Sequence, residues 1–360
     1  MLSILMRWNA SRWTFLVWTI TYLCTLPAVI QAESFHMNKR GSSSHGQVLV
    51  VQESLNRVLI FSKDNPSERA IVQVGEKPHE IETSLDGKTA YVSNFGLLEA
   101  NHKVGTPGTT ISVLDVEQKR ERTRFILPSG ATAPHGLKIR PQHATELFTN
   151  TEEGIEEMTV FDLSTGHVIR TFPLPHGVHN FIFSADGADC YAFTTVDSVI
   201  RLDPNDGRVL SRATVPHVRG LAWTSDHSHL LVGSQGQILL LDPQDLSVTR
   251  TFIGLPVGQT FYPASSPEGN TFFVPAVLDG VLLVLDARTG RVCQRLATGS
   301  PLQAIFDGAY AWISNVKVPT SMLPPGAPER PGGLVRLNLS NFSFTVITDT
   351  EDANGIATTH

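Results

Sequence analysis

Hydrophobic and polar residues alternate along most of the chain in short runs, separated by turn-forming residues. "HEIETSLDGKTAYVSN" (79–94) joins two such runs through an Asp-Gly turn, which is the pattern of a β-hairpin. The pattern returns at 135–150, 179–194, 219–234 and 261–276, and in a shortened copy at 303–315. A second pair of runs follows each copy, such as "MTVFDLSTGHVI" after the second one. The chain therefore predicts repeats of four strands each.

The period of the repeat and the two ends of the chain predict the architecture. Successive copies begin about 40 to 56 residues apart, which is the spacing of blades in a β-propeller. Segment 47–74 supplies three strands without a first one, and "NGIATTH" (354–360) matches that missing strand. Six copies plus this composite blade predict an all-β, seven-bladed β-propeller of four-stranded blades. The C-terminal strand would complete the N-terminal blade and so close the ring without a free edge.

Several short motifs point to a known family. "YVSN" (91–94), "LFTN" (147–150) and "WISN" (312–315) stand where the YVTN-repeat propellers have their namesake motif. The "S-x-D-G-K" and "V-x-D-x-x-T-G" turns are also similar to that family. Over nearly the whole chain after its N-terminal segment, the sequence resembles the YVTN-repeat seven-bladed β-propellers. The resemblance implies the fold, with Asn94, Asn150 and Asn315 closing strand ends. It implies little about function, since the family includes surface-layer-type and periplasmic propellers of varied role.

The N-terminus has the pattern of a secretory signal. Within residues 1–32, two arginines precede a long apolar run, and Ala32 offers a small residue for cleavage. The alternative is an uncleaved anchor, because the run is about long enough to span a bilayer. We expect an exported protein, periplasmic or secreted. A flexible lead-in would follow at 33–46, and a single propeller domain at 47–360.

Composition and missing motifs exclude several classes of function. The formal net charge is −6, without a basic cluster, which argues against nucleic acid or an anionic membrane as the main partner. No C-x-x-C-H occurs, so covalent haem is excluded. The chain also lacks H-E-x-x-H, Walker and G-x-S-x-G motifs. We expect a monomer. Asn338 and Asn341 lie in glycosylation sequons, which matter only in a eukaryotic source.

Three histidines share one repeat position in consecutive blades. His79, His135 and His179 stand at the start of the innermost strand, so we expect their side chains to meet at one end of the central channel. At this position the remaining blades carry Arg219, Phe261, Gln303 and Asn354. Imidazoles from separate strands are suitable ligands for zinc, copper or iron. In the alternative interpretation, each histidine hydrogen-bonds a carbonyl of the neighbouring blade.

Acidic residues and two insertions are expected on the same face. Glu152 is the candidate fourth ligand or general base, and the alternative is a solvated loop acid. Strand alternation would turn Glu80 away from the neighbouring histidine. Insertions 95–108 and 316–332 fall between second and third strands, where long loops commonly carry function and could dock a protein partner. The secondary residues expected on this ligand face are Glu80, His102, Glu153, His176, His217 and Arg219.

Three functions are compatible with this pattern. The first is a binding or accessory protein whose histidines hold a divalent metal ion (zinc, copper or iron) or a small anionic ligand. The second is a metal-dependent enzyme, such as a lactone hydrolase or a lyase, in which the metal activates water or a substrate oxygen and Glu152 is the general base. The third is a protein-interaction scaffold that uses the 316–332 insertion. The sequence leaves open whether the protein is an enzyme and which metal and ligand it binds.

Overall fold

The computed structural model describes residues 46–98 and 101–359, and these form a closed ring of seven four-stranded antiparallel sheets with one additional two-stranded ribbon. The all-β, seven-bladed propeller expected from the repeat is confirmed. The predicted signal segment 1–32 and the lead-in up to residue 45 lie outside the described residues. Within those ranges, no helix is long and apolar enough to cross a membrane.

Each blade is one antiparallel sheet, and its first strand in the repeat lies innermost. The composite blade comprises β1 (Gln47–Gln52), β2 (Arg57–Ser62), β3 (Arg69–Gln73) and β30 (Ala353–Thr358). Blade 1 comprises β4 (Pro78–Thr83), β5 (Thr89–Asn94), β8 (Thr110–Asp115) and β9 (Arg120–Ile126). Blade 2 comprises β10 (Ala131–Ile139), β11 (Glu146–Gly154), β12 (Glu157–Asp162) and β13 (Val168–Pro173). Blade 3 comprises β14 (Val178–Phe183), β15 (Cys190–Thr194), β16 (Ser198–Leu202) and β17 (Val209–Thr214).

The second half of the ring follows the same plan. Blade 4 comprises β18 (Leu221–Trp223), β19 (Leu230–Ser234), β20 (Gln237–Leu241) and β21 (Val248–Phe252). Blade 5 comprises β22 (Ala264–Ser265), β23 (Thr271–Ala276), β24 (Val281–Asp286) and β25 (Val292–Leu296). Blade 6 comprises β26 (Pro301–Asp307), β27 (Tyr310–Asn315), β28 (Gly333–Asn338) and β29 (Phe344–Ile347). The ribbon pairs β6 (Leu97–Leu98) with β7 (Asn101–Gly105), and two short 3-10 helices span Glu53–Leu55 and Thr320–Met322.

The composite blade closes the ring through pairing of the two chain ends. β1 runs antiparallel to β30, with Val48 opposite Thr358 and Val50 opposite Ile356. The C-terminal strand thus occupies the innermost place of the N-terminal blade, as the sequence predicted. Because each blade then has neighbours on both sides, the ring has no open position between its first and last blades.

The hydrophobic core lies between neighbouring blades. Successive side chains of a strand point to opposite faces of the sheet, so each blade presents one set of apolar residues to the preceding blade and another to the following one. Between blades 2 and 3, for example, Phe148 and Met158 pack with Phe181 and Phe183. Burial of each such side chain contributes roughly 1.5–3 kcal/mol. The alternating pattern of the sequence is the direct cause of this packing.

The length of the turn between the first two strands of a blade decides which residue of the "YVSN" or "LFTN" motif lies at a given position of the second strand. In blade 1, the turn between the first two strands is closed by the Ser84 amide and the Thr89 carbonyl, whereas in blade 2 the Arg140 amide bonds the Glu146 carbonyl. The blade 2 turn is therefore one residue longer. As a result, Asn150 occupies the position of Ser93, and the asparagines of "YVSN" and "LFTN" are not equivalent in space.

Strand pairing also corrects the position predicted for blade 6. Pro301 lies opposite Asn315, as Pro78 lies opposite Asn94 in blade 1. The residue that corresponds to His79 in blade 6 is therefore Leu302, and Gln303 stands one position further into the channel. The shortened copy of the repeat concealed this shift, because its turn has fewer residues than the other turns.

Candidate metal centre

The three histidines lie at irregular points of their innermost strands. Register shifts occur between Pro78 and Ile81 in β4, between Pro134 and Leu137 in β10, and between Val178 and Asn180 in β14. Such a bulge re-aims side chains, and bulges are common next to functional sites. In β4 the consequence is direct, because Glu80 does not turn away as alternation would require. Its Oε1 lies 3.9 Å from Nδ1 of His79.

His79, His135 and His179 form one stack. The ring centroids of His79 and His135 are 4.0 Å apart, and those of His135 and His179 are 4.1 Å apart. None of the three residues is more than 7% exposed. Three imidazolium ions at this spacing would repel one another, so the stack suits neutral rings, which are the form that coordinates metal ions.

Glu152 joins this stack from the end of β11. Its Oε1 lies 2.8 Å from Nδ1 of His179 and 3.7 Å from Nδ1 of His135. One donor atom from each of the three residues lies within 4.8 Å of the other two. Two ligands of a tetrahedral zinc ion are about 3.3 Å apart when each bond is about 2.0 Å. His135, Glu152 and His179 could therefore hold a metal ion with little movement, and His79 stacks beside this set.

Side chains of the repeat motifs hold the histidine backbones in place. The Ser93 hydroxyl accepts a hydrogen bond from the Glu80 amide at 2.9 Å and donates one to the His135 carbonyl at 2.9 Å. In the equivalent position, Asn150 accepts from the Gly136 amide at 2.9 Å and donates to the His179 carbonyl at 3.2 Å. Each motif residue thus fixes one histidine of the next blade. Asn150 therefore does more than close a strand end.

Phe95 packs against the stack from the first insertion. It is fully buried, and its ring centroid lies 5.8 Å from that of His79 and 5.2 Å from that of His135. The exposed His102, on β7, contacts the other side of Phe95 at 5.2 Å. The beginning of the 95–108 insertion thus packs against the histidines through Phe95, which His102 also contacts.

A cavity of about 310 Å³ opens beside the stack at the channel mouth, and His79 and His179 form part of its wall. The 316–332 insertion forms another part through Val318 and Met322. This insertion is anchored at both ends. The Lys317 amide donates to Asp352 at 2.9 Å, and the Arg330 guanidinium donates to the Val277 carbonyl at 3.0 Å.

Below the histidines, the channel has a second polar layer around a smaller cavity of about 190 Å³, whose wall includes Glu80, Asn180 and Gln303. The Asn180 side-chain amide donates to Glu80 at 3.0 Å. Burial raises the pKa of Glu80, whereas the positive charge of Lys138 and the hydrogen bond from Asn180 lower it. Burial likewise opposes the charge of Lys138, whereas Glu82 and Glu80 raise the Lys138 pKa above its ordinary value.

The other predicted residues take different places. Arg219 lines the mouth cavity, so the structure brings it to the same cavity as His79 and His179. Glu153, His176 and His217 are exposed. His176 contacts Glu156 through Nδ1 at 2.6 Å, and the His217 amide donates to Asp197 at 2.7 Å. These contacts lie outside the stack, so neither histidine joins it.

Glu53 is a cavity residue that the sequence analysis missed. It is 3% exposed, lines the mouth cavity and accepts a hydrogen bond from Asn354 at 3.3 Å. Gln52 lies opposite Ala353 in the composite blade, and Thr151 lies opposite Pro134 in blade 2. Glu53, which follows Gln52, therefore occupies the position that Glu152, which follows Thr151, has in blade 2. Aligning "QES" (52–54) with "TEE" (151–153) would have revealed it. No comparable signal marks Phe95 as a contact of the histidines.

Comparisons with known proteins agree with the fold. No protein-family model matches the chain, and no curated protein matches its sequence. A functionally unknown protein from Desulfotomaculum acetoxidans DSM 771 is similar in structure, with a TM-score of 0.65 and 15% identity over 87% of this chain and 99% of that one. Kuenenia stuttgartiensis hydrazine synthase is also similar, with a TM-score of 0.60 and 16% identity over 75% of this chain and 89% of that one. At these identities, the likeness shows a shared seven-bladed propeller fold.

Proposed function

We propose that this protein binds one divalent transition-metal ion at the channel mouth through His135, Glu152 and His179. The observation that carries the proposal is the approach of one donor atom from each residue to within 4.8 Å of the others, from two blades of the ring. Two imidazoles and a carboxylate suit zinc, iron or copper better than calcium or magnesium, which prefer oxygen ligands.

The donor set leaves room for a further ligand. Three protein ligands are typical of sites that keep an open coordination position, whereas structural zinc sites use four. His179 belongs to the donor set and to the wall of the mouth cavity, so the open position would face that cavity. We therefore propose a protein that binds a small molecule at its metal and acts outside the cytoplasm. The secretory pattern of residues 1–32 supports the location.

A metal-dependent enzyme is the second candidate, and Glu53 is the observation that favours it. Glu152 approaches two histidines and is better suited to hold the metal than to move protons. Glu53 is a separate carboxylate in the wall of the same cavity, and it could take the role of general base there. In the binding role, Glu53 would only orient the ligand.

The experiment is a metal titration of the protein after chelator treatment and dialysis. Zinc, cobalt(II) and copper(II) are titrated by calorimetry, and bound metal is measured by mass spectrometry. We expect one ion per chain. Glu152→Gln and His135→Gln keep the size of the side chains and should each weaken binding by at least about 100-fold, since even the partners behind metal ligands contribute about 10–100-fold.

His167→Gln is the matched control, because His167 is exposed in a turn of blade 2. It should bind metal as the wild type does. Circular dichroism and thermal unfolding establish that each variant is folded. Wild-type protein that takes up no metal, or a Glu152→Gln variant with unchanged affinity and stoichiometry, would contradict the proposal. Hydrolysis of simple lactones that depends on both the metal and Glu53 would favour the enzyme over the binding protein.

A further inference from the structure

The walls of the mouth cavity are apolar on the side that faces away from the histidines. Phe261, Val277 and Leu302 line it from blades 5 and 6, and Val318 and Met322 line it from the 316–332 insertion. Cavities of about 300–1,000 Å³ with mostly apolar walls and a few placed polar groups are typical of small-molecule sites. The cavity, at about 310 Å³, lies at the lower end of that range. It suits a compact ligand with an apolar part.

Most charged groups around the cavity are already compensated. Asp352 accepts hydrogen bonds from the backbone amides of Ser54 and Lys317, each at 2.9 Å, so both of its oxygens are used to fix the loops. The Lys317 ammonium lies 3.2 Å from Glu329, and both side chains are more than two-fifths exposed. This ion pair belongs to the outer surface. Asp352 is thus occupied in holding the loops, and Lys317 already has an acidic partner.

Arg219 differs from these groups. Its guanidinium donates to the carbonyl of Val218 at 3.1 Å, and it forms no ion pair with a carboxylate within residues 46–98 and 101–359. It is half-buried and lines the cavity that His79 and His179 also line. A half-buried arginine without an acidic partner retains most of its capacity to bind an anion. The planar guanidinium matches a carboxylate through two parallel hydrogen bonds.

We propose that the mouth cavity binds a small organic carboxylate, with its carboxylate on Arg219 and its apolar part against Phe261, Leu302 and Met322. The proposal rests on the proposed metal function in one respect, namely that the ligand would reach the open position of the metal from this cavity. A carboxylate fits better than a phosphate. The cavity offers one uncompensated arginine, and Glu53 in the same wall would repel a second negative charge.

The test is calorimetry with matched probes on zinc-loaded and on chelator-treated protein. Pentanoate, benzoate and phenylacetate are compared with the corresponding amides and with inorganic phosphate. We expect at least one carboxylate to bind, and to bind at least about tenfold more tightly than its amide, because the amide cannot accept both guanidinium hydrogen bonds. Arg219→Gln should weaken carboxylate binding at least about tenfold while leaving the bound zinc unchanged.

Arg208→Gln is the control, since Arg208 is an exposed arginine in the turn between β16 and β17. It should bind the carboxylate as the wild type does. The proposal is overturned if none of the three carboxylates binds, if an amide or phosphate binds as tightly, or if Arg219→Gln has no effect. Carboxylate binding that requires Arg219 in a protein that takes up no metal would support the ligand class and would overturn the metal function alone.

Discussion

Blades 1 to 3 and blades 4 to 6 fill the same place in the ring with different chemistry. At the start of the innermost strand, the first group carries His79, His135 and His179, which stack at about 4 Å. The second group carries Arg219, Phe261 and Leu302, which form part of the cavity wall. One backbone position therefore supplies two of the candidate metal ligands, His135 and His179, and also part of the wall of the candidate ligand pocket. The repeat thus fixes where a side chain stands, and the residue type at each blade decides its role.

The two groups also differ in how their strand ends are held. In blade 2, the Asn150 side chain bonds the Gly136 amide and the carbonyls of Val178 and His179, so it connects two blades. In blade 6, the hydroxyl of Ser314, which has the position of Asn150, forms no hydrogen bond in the described part of the chain, and the neighbouring Asn315 side chain donates only to Ile313 of its own strand. The histidine side of the ring is therefore expected to be more tightly cross-linked. The difference can be measured as the loss in the free energy of unfolding when residues on each side are substituted.

The largest effect on stability is expected from Gly136→Ala. A Cβ there would lie 2.6 Å from Oδ1 of Asn150 and 2.7 Å from Oδ1 of Asn180, both buried. We expect a loss of about 3 kcal/mol in the free energy of unfolding, measured by urea denaturation. Gly258→Ala is the control, because Gly258 is exposed and a Cβ there would meet only Asp279 at 3.8 Å. The control should change stability by less than about 0.5 kcal/mol. Equal losses would contradict the tight packing inferred on the histidine side.

A smaller difference in the free energy of unfolding is expected between the Asn150→Ala and Asn315→Ala variants. The first change leaves the buried Gly136 amide without its acceptor and should cost about 2–3 kcal/mol, whereas the second removes one hydrogen bond and should cost about 1 kcal/mol. Asn150→Ala should also weaken metal binding, because it releases the backbone of His179. The same urea titration and the metal titration measure both effects. An Asn315→Ala variant at least as unstable as Asn150→Ala would show that the two sides are held equally.

The smallest effect is expected at the opposite end of the ring, in the turn of blade 4. Hydrogen bonds from Thr224 and Ser228 lower the pKa of Asp226 from 3.8 to about 2. Because the folded pKa is depressed, this stabilisation is present above pH 3.8 and is lost as the pH falls from there through about 2. Asp226 is exposed, so solvent screening reduces the contribution to under about 1 kcal/mol. The difference in the free energy of unfolding between wild type and Asp226→Asn should therefore decrease as the pH falls from about 5 to about 2. A difference that increases as the pH falls would contradict the lowered pKa assigned to Asp226 in the folded protein.

The fold and the choice of histidines could be predicted because both depend on the period of the repeat. Strand alternation, Asp-Gly turns and the match between the two chain ends are sufficient for a closed seven-bladed ring. The repeat also places His79, His135 and His179 in equivalent positions. The stacking distances add what the alignment could not provide, namely that the three rings are in contact.

Other features of the site depend on single-residue shifts that the pattern does not show. The bulge in β4 keeps Glu80 in the channel although alternation predicts otherwise. A turn one residue longer in blade 2 moves Asn150 into the position of Ser93, and a shorter turn in blade 6 puts Leu302 where Gln303 was expected. Such shifts change the register without changing the hydrophobic pattern. Sequence alignment therefore brings the histidines of the candidate site together but misplaces some of the residues around them.

X-ray absorption at the metal edge of zinc-loaded protein tests the central claim most directly. The account predicts a first shell of imidazole nitrogen and carboxylate oxygen at about 2.0–2.1 Å, with two histidines that change to one in His135→Gln. His167→Gln should give the spectrum of the wild type. A first shell of water oxygens alone, or a spectrum that neither His135→Gln nor Glu152→Gln alters, would show that the metal binds elsewhere and would contradict the account.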